Sequence, residues 1–239
     1  SCEFCRRGIG HFCTDITGIG TTVDGGFAEY CAVPASQVYK VADSSSFEQA
    51  AMTEPVSCCL HGIELCNIKC GDTVMVIGCG MIGLIMLQLA RLSGAANIIA
   101  IEPIKEKREQ ALKLGADIAF DPKADNITVA LKKQGLEQVD VVIECVGRPE
   151  TIEQAIALAG KYSTVMMFGL TKPDAEISVK PFEIFKKEIT LKSSYINPYT
   201  FPAAIKLIES GKLDVSSMIY ETEPLTELPS ILSDGKRRG

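Results

Sequence analysis

Residues 78–83 have the glycine spacing of a phosphate-binding turn, G-x-G-x-x-G. In order, they are Gly78, Cys79, Gly80, Met81, Ile82 and Gly83. The first glycine of such a motif permits a tight turn, the second lets the backbone approach a pyrophosphate, and the third lets the next helix pack on the preceding strand. The phosphates then lie at the positively polarised N-terminus of that helix. The alternative is an ordinary tight turn, and we favour dinucleotide binding through this segment, including Met81 and Ile82.

An acidic residue follows where a dinucleotide site needs a hydrogen-bond acceptor. Glu102 closes the apolar segment 97–101 and lies 19 residues after Gly83. A carboxylate at that place accepts hydrogen bonds from the adenosine ribose and repels a 2′-phosphate. We therefore expect NAD in preference to NADP, although Glu102 could also be a solvated charge. Lys107 is included in the predicted cofactor site, and its positive charge, with those of its basic neighbours, could blunt the repulsion.

Three cysteines near the start of the chain have a spacing that suits a metal. Cys2 and Cys5 are separated by two residues, and Cys13 follows after seven more. Thiolates of this kind bind zinc tetrahedrally, and a structural zinc normally takes four ligands. The fourth ligand could be His11 or a residue upstream of Ser1.

Alternating strands and helices must position the glycine turn and Glu102. Apolar and β-branched runs punctuated by glycines predict strands at 73–77, 97–101, 118–120, 139–145 and 163–168. Helical patterns lie at 81–92, 104–114, 127–134, 151–159 and 202–210, and a further strand is predicted at 27–33. This alternation predicts an α/β, doubly wound parallel sheet. Ligands of such sheets lie beyond the carboxyl ends of the strands, so Val146 and Phe168 are predicted to border the ribose and nicotinamide.

Composition narrows the class of protein further. The 239 residues are 46% hydrophobic and 23% charged, which is typical of a folded chain of one to two domains. A net charge of −6 argues against nucleic-acid or anionic-membrane partners. The uncharged stretch 73–90 is interrupted by glycines, which favours a buried strand and helix over a membrane span. Ten cysteines scattered along a chain of this length indicate the cytoplasm rather than a secreted disulfide scaffold.

The order of the motifs resembles the zinc-dependent medium-chain alcohol dehydrogenases. The cysteine run is followed by G-G-F-A-E-Y at 25–30, by Glu54-Pro55 and then by the glycine turn. The resemblance implies a Rossmann sheet plus part of a mainly β, GroES-like substrate domain. It implies that 1–56 belongs to the substrate domain, 57–195 binds NAD, and 196–239 returns to the substrate domain. Cys2, Cys5 and Cys13 match the second, third and fourth ligands of the family's structural zinc.

The Glu54-Pro55 pair resembles the polyol (sorbitol-like) and threonine dehydrogenase branches. In these branches the glutamate lies in or just outside the shell of the catalytic zinc, whereas the sequence by itself also suits a helix start at Glu54. The implied reaction is hydride transfer from a secondary alcohol, a polyol, to NAD by a cytoplasmic homo-oligomer, a dimer or tetramer. Alternatives are a threonine 3-dehydrogenase, a simple secondary-alcohol dehydrogenase, and a noncatalytic NAD-sensing or zinc-binding module.

The sequence also departs from the family pattern. The family's catalytic cysteine and His-Glu pair have no counterpart here, and the family continues beyond Gly239 with a closing strand. We therefore expect a chain truncated at both ends, with at most one structural zinc and no turnover by itself. Cys58 is predicted near the nicotinamide, and Cys59, Cys66 and Cys70 are predicted to be packing residues. The run 236–238, Lys-Arg-Arg, is predicted to be a solvated turn.

Overall fold

The structure is a computed structural model that describes residues 1–234, so the basic run 236–238 lies outside the described residues. The chain divides into two compact units. The central unit is Glu54–Thr200, and it contains the range 57–195 that was predicted to bind NAD. The flanking unit combines Ser1–Thr53 with the chain from Phe201 onward.

Helices and strands alternate through the central unit. The strands are β1 Thr73–Ile77, β2 Asn97–Ile101, β3 Ile118–Phe120, β4 Val141–Glu144, β5 Thr164–Met167 and β6 Thr190–Ser193. Its helices are α3 Thr53–Cys66, α4 Met81–Leu92, α5 Lys105–Lys113, α6 Ile127–Lys133, α7 Pro149–Leu158 and α8 Pro181–Lys187. The flanking unit contributes α1 Glu3–Arg6, α2 Phe47–Ala51, α9 Phe201–Glu209 and α10 Leu228–Ser233.

All six strands are parallel and form one sheet in the order β3-β2-β1-β4-β5-β6. The predicted parallel α/β sheet is therefore confirmed. Strand β1 lies between β2 and β4, pairing Ile77 with Ile101 on one side and with Glu144 on the other. The order of the strands reverses around β1, and a ligand crevice forms at such a point in open α/β sheets.

Apolar packing on both faces of the sheet explains why these segments fold as they do. Every residue of β1 is buried, as parallel strands covered on both faces require. One face packs Met75, Ile99 and Val142 into a core that includes Leu131 of α6 and Ile152 of α7. Helix α4 is apolar nearly all round and buries residues 83–90, which is typical of a helix enclosed by its neighbours.

The N-terminal part of the flanking unit has little core of its own. None of the described residues 1–51 is buried. The strand predicted at 27–33 is wrong, because these residues form bends and irregular structure. A strand needs a partner for its backbone hydrogen bonds, and the described part of this unit offers only an isolated bridge between Ile19 and Val23. Phe27 is accordingly 76% exposed and Tyr30 91% exposed.

Side-chain hydrogen bonds connect the two chain stretches of the flanking unit. Glu209 Oε1 accepts from the backbone N–H of Ala42 at 2.6 Å, and Gln49 Nε2 donates to Ser216 Oγ at 3.1 Å. Helix α2 begins with a capping box, in which Ser46 and Gln49 each satisfy the other's backbone N–H. Among the described helices of the protein, none has the length and apolar character needed to cross a bilayer.

Candidate dinucleotide site and cysteine cluster

The glycine turn joins β1 to α4 at the carboxyl edge of the sheet, and each glycine has a distinct steric role. Gly78 has a φ of +89°, and a Cβ on it would lie 2.6 Å from Val146 Cγ2. A Cβ on Gly83 would collide with the carbonyl oxygen of Gly78. A Cβ on Gly80 would meet nothing within 4 Å. The turn is therefore closed on the protein side and open on the side where a phosphate would approach.

The N-terminus of α4 faces this open side. Gly80 is its N-cap, and Leu84 makes the first intrahelical hydrogen bond, to the Gly80 carbonyl at 2.9 Å. The N–H groups of Met81 and Ile82 lie in the first turn, where no intrahelical acceptor exists. Met81 is exposed and Ile82 is half-buried. The backbone here offers the donors that a pyrophosphate needs.

Glu102 lies directly beside the glycine turn. Its side chain is buried, with a relative exposure of 5%. Glu102 Oε2 accepts from the backbone N–H of Cys79 at 2.8 Å, and Oε1 accepts from the N–H of Ile104 at 2.9 Å. Each carboxylate oxygen has two lone pairs, so further acceptor capacity remains on both. The carboxylate thus fixes the turn and keeps the capacity to accept from a ribose hydroxyl.

The basic residues of α5 differ in their positions around Glu102. Arg108 Nη1 donates to the Glu102 carbonyl at 2.7 Å and lies 3.3 Å from Asp121 Oδ2. Lys105 pairs with Glu109 at 3.7 Å in an exposed ion pair. Lys107 is near enough to the turn to affect Cys79. Burial and then the charge of Glu102 raise the pKa of the Cys79 thiol, Lys107 lowers it, and the net value is about 12.

Glu144 is a second buried acid at the same edge, and the sequence interpretation missed it. It ends β4, on the opposite side of β1 from Glu102, and is fully buried. Its Oε1 accepts from the N–H groups of Val146 at 2.8 Å and Gly147 at 3.0 Å, and from the Thr151 hydroxyl at 2.8 Å. The signal was present, because V-V-I-E at 141–144 repeats the pattern of an apolar strand closed by an acid seen at 97–102.

Val146 and Phe168, the predicted walls of the ribose and nicotinamide, lie at the carboxyl ends of β4 and β5. Val146 contacts the position of Gly78, as described above. The Phe168 ring lies against α3, where a Cβ on Gly62 would be 2.8 Å from Phe168 Cε2. The structure thus places Val146 beside the glycine turn. It packs the Phe168 ring against α3, the helix that carries Glu54 and Cys58.

The three N-terminal cysteines form a compact cluster in the flanking unit. Cys2 precedes α1, Cys5 lies within it, and Cys13 follows a short 3-10 helix at Gly10–Phe12. Their sulfur atoms all lie within 4.8 Å of one another. Cys2 Sγ and Cys5 Sγ are 3.7 Å apart. Two sulfurs bound to one tetrahedral zinc lie about 3.8 Å apart for Zn–S bonds of about 2.3 Å, so the cluster fits that ion.

Backbone donors favour the thiolate form of Cys2 within this cluster. Hydrogen bonds from the backbone of Cys5, and then of Thr14, lower the pKa of Cys2 to about 6. At Cys13 the N–H of Asp15 donates to Sγ at 3.4 Å and lowers the pKa, but the neighbouring Cys5 and Cys2 sulfurs, together with desolvation, raise the pKa on balance. Within residues 1–234, these cysteines are the one group of three or more His, Cys, Asp or Glu side chains close enough to share a metal, and His11 is not in it.

Glu54 lies in the first turn of α3, is exposed, and accepts a hydrogen bond from Cys58 Sγ at 3.1 Å. Burial, together with the hydrogen bond to Glu54 and its charge, raises the pKa of Cys58 to about 12, so this thiol is a donor near neutral pH. No group of three potential ligands in the described chain includes Glu54. Among the described residues, Glu54 therefore lacks the two further protein ligands that a catalytic zinc would need beside it.

The remaining cysteines divide by burial. Cys59 and Cys66 are buried, as the packing prediction required, whereas Cys70 is exposed and the packing prediction for it is wrong. Cys70 lies in the turn before β1, beside the position of Gly94. Connecting turns run over the protein surface, so the thiol is exposed although it lies next to Gly94.

Known proteins that are similar to this chain combine the same two features, a parallel α/β sheet of the dinucleotide-binding kind and a zinc-binding region. A family model described as zinc-binding dehydrogenase matches residues 82–210, and one described as alcohol dehydrogenase GroES-like domain matches residues 1–43. The first model covers more than half of the chain. The chain therefore belongs to the zinc-dependent medium-chain alcohol dehydrogenase family.

Individual relatives carry several activities. The chain is 32% identical to D-arabinitol dehydrogenase 1 of Uromyces fabae over 97% of this chain and 67% of that protein. It is 33% identical to an L-threonine 3-dehydrogenase of Caldanaerobacter subterraneus over 95% and 66%. A Sinorhizobium meliloti crystal structure, described as a zinc-binding dehydrogenase bound to NADP, has a TM-score of 0.94 and 36% identity over 98% of this chain and 69% of that one. The chain thus spans about two thirds of the length of these relatives.

Proposed function

We propose that the whole protein is an oxidoreductase that transfers a hydride from a secondary alcohol, a polyol, to NAD, and that this chain supplies its dinucleotide site without being active by itself. The observation that carries the proposal is the glycine turn with Glu102 hydrogen-bonded to it. A dinucleotide needs a close backbone approach, a helix N-terminus and a ribose acceptor in one place, and these residues supply all three. Bound NAD would be the hydride acceptor, and the family membership supports an alcohol as the donor.

The chain's own residues would bind and orient the cofactor. Gly78, Gly80 and Gly83, with the N–H groups of Met81 and Ile82, would hold the pyrophosphate, and Glu102 would accept from the adenosine ribose. Lys107, whose charge acts on Cys79 in the turn, would belong to the same cofactor site, and Val146 and Phe168 would border the nicotinamide half. The cysteine trio would hold a structural zinc, whose contribution is to fix the loops around residues 2–13 rather than to react.

We propose that the protein binds NAD rather than NADP, and the ion pair and hydrogen bond of Arg108 support this preference. A 2′-phosphate needs a free cation to offset the repulsion from Glu102. Arg108 pairs with Asp121 and donates to the Glu102 carbonyl, so its charge is already offset and its guanidinium would have to leave these partners to bind a 2′-phosphate. The structure of the Sinorhizobium meliloti relative contains NADP, so membership of the family does not by itself decide between NAD and NADP.

Nucleotide titration of the chain by calorimetry tests the proposal. We expect NAD to bind about tenfold more tightly than NADP, and Glu102→Ser to abolish that ratio, because the repulsive carboxylate and the ribose acceptor are both lost. Glu106→Ser is the matched control, because Glu106 is an exposed acid in the first turn of α5. Tighter binding of NADP, or no binding of either nucleotide, would contradict the proposal.

A threonine 3-dehydrogenase is the second candidate, and the Caldanaerobacter subterraneus relative favours it. Because the described residues offer no group of three ligands at Glu54, we expect the 239-residue chain to show no NAD reduction by itself. Assays with polyols and with L-threonine in the presence of zinc test both statements. Reduction with L-threonine alone would favour the second candidate, and reduction with either would overturn the expected inactivity.

A further inference from the structure

Glu144 lies outside the glycine turn, but its hydrogen bonds join the two turns that follow β4 and β5. Its carboxylate accepts from Val146, Gly147 and the Thr151 hydroxyl. Its backbone carbonyl accepts from the N–H groups of Phe168 and Gly169, both at 2.9 Å. One residue therefore holds the turn that follows β4 and the turn that follows β5.

These two turns are pressed together by backbone contact. Gly147 has a φ of +77°, and a Cβ on Gly169 would lie 2.7 Å from the Gly147 Cα. There is no space for a side chain between them, so their separation is fixed by hydrogen bonds and by glycine. The carboxylate of Glu144 is the one side-chain group that bonds to both Val146 and Gly147 among the described hydrogen bonds.

The position of Glu144 in the sheet indicates which half of a bound dinucleotide would lie near it. Glu102 directly follows β2 and Glu144 ends β4, and β1 with its glycine turn lies between these two strands. A dinucleotide spans the crevice where the strand order reverses, with its pyrophosphate at the central turn. If the adenosine ribose meets Glu102 on one side, the nicotinamide half lies on the other side, at Val146.

We infer that Glu144 is a positioning residue for the nicotinamide half of the dinucleotide, acting through the Val146–Gly147 turn that its carboxylate holds against the glycine turn. This inference rests on the proposed binding of NAD. Glu144 is fully buried, so it touches no ligand itself and works only through the two turns. Burial of an acid is costly unless donors surround it, and this one has two backbone donors and a hydroxyl donor.

The test compares two ligands on the 239-residue chain by calorimetry. NAD reaches both halves of the crevice, whereas ADP reaches only the glycine turn and the Glu102 side. For Glu144→Gln we expect NAD to bind about tenfold more weakly and ADP to bind within about twofold of the original chain, because a charge-assisted hydrogen-bond set is replaced by a weaker one.

Thr151 provides a milder pair of variants that leaves the acid in place. Thr151→Val removes the hydroxyl donor to Glu144 Oε1, and we expect NAD to bind about threefold more weakly with ADP unchanged. Thr151→Ser keeps the hydroxyl and should restore NAD binding. This pair carries the test if Glu144→Gln fails to fold, which a thermal melt of each variant would reveal.

The outcomes separate the inference from the proposed function. Selective loss of NAD affinity, with rescue by serine, supports a positioning role. Equal losses for NAD and ADP, in step with a lower melting temperature, would assign Glu144 to the fold alone and overturn the inference. Unchanged NAD binding in Glu144→Gln would overturn it as well. If the original chain binds neither NAD nor ADP, the proposed function fails first and the inference fails with it.

Discussion

The cysteine trio and the glycine turn are both candidate ligand sites, but they are built in opposite ways. The glycine turn follows a fully buried strand and leads into a buried helix, and the buried carboxylate of Glu102 fixes it. The cysteine trio lies on a four-residue helix and adjoining loops, in a stretch of 51 residues with no buried residue. Packing determines the first site, whereas a bound ion would have to stabilise the second.

The two sites therefore depend on their ligands to different degrees. Close packing preorganises the turn, so a nucleotide would find its donors already in place. Loops without a core gain their order from metal coordination, since the free energy of metal binding becomes folding free energy. We therefore expect the nucleotide site to persist without ligand and the cysteine trio to respond strongly to zinc.

The largest expected effect is that of Gly83→Ala. Its new Cβ would collide with the Gly78 carbonyl oxygen, so α4 would have to move away from β1. We expect the free energy of unfolding to fall by about 3 kcal/mol and nucleotide affinity to be lost, because overpacking cannot relax in a dense core. Thermal melts and NAD titration measure both.

Gly80→Ala is the control for that variant. Its Cβ would meet nothing within 4 Å and its φ is −71°, so stability should be unchanged or slightly higher. NAD affinity should still fall, because the methyl group occupies the open side of the turn. If Gly83→Ala were as stable as Gly80→Ala, the description of the turn as a close-packed site would be wrong.

Cys5→Ser should affect the other region alone. We expect zinc affinity to fall by at least about 100-fold, because a hydroxyl is a poor replacement for a zinc-bound thiolate. NAD affinity should stay within about twofold. Native mass spectrometry gives the zinc content, and Cys31→Ser, a change at an exposed cysteine outside the trio, is the control. Equal zinc content in both variants would show that the trio is not the metal site.

A smaller and graded effect is expected from alkylation at pH 8 in the absence of metal. Burial raises the pKa of Cys66 to about 12, as it does for Cys79, so both thiols stay protonated and unreactive until the pH approaches that value. The pKa of Cys2 is lowered to about 6 by backbone hydrogen bonds, so it is a thiolate above that pH. Peptide mass spectrometry should find Cys2 labelled and the two buried cysteines unlabelled.

Zinc sharpens this experiment. Added zinc should protect Cys2, Cys5 and Cys13 from the reagent and leave labelling of the exposed Cys70 unchanged. Labelling of Cys79 at pH 8 at the rate of Cys70 would mean that the glycine turn opens without its ligand. That result would remove the contrast between the two regions.

Local patterns sufficed for the elements around the glycine turn. The strands at 73–77, 97–101 and 118–120 and the helix at 81–92 have the predicted bounds, because β-branched runs and glycines mark them sharply. The strand predicted at 139–145 is shorter at both ends, at Val141–Glu144, and the turn after it is held by the Glu144 carboxylate at Val146 and Gly147. The strand at 27–33 does not form, because strand formation depends on a partner and not on the sequence of one segment.

Residues close together in the chain specify the glycine spacing, the acid that follows β2, the cysteine spacing and the alternation of strands and helices up to β5, so the sequence was enough to predict these features. The contacts that join these features come from tertiary structure. Parallel pairing brings Glu102 to Cys79 across 23 residues, and it sets Val146 against Gly78. Parallel pairing of β1 with β4 likewise brings Glu144 to the edge of the sheet beside the glycine turn. Contacts between separate strands follow from sheet order and register, and no local pattern specifies these.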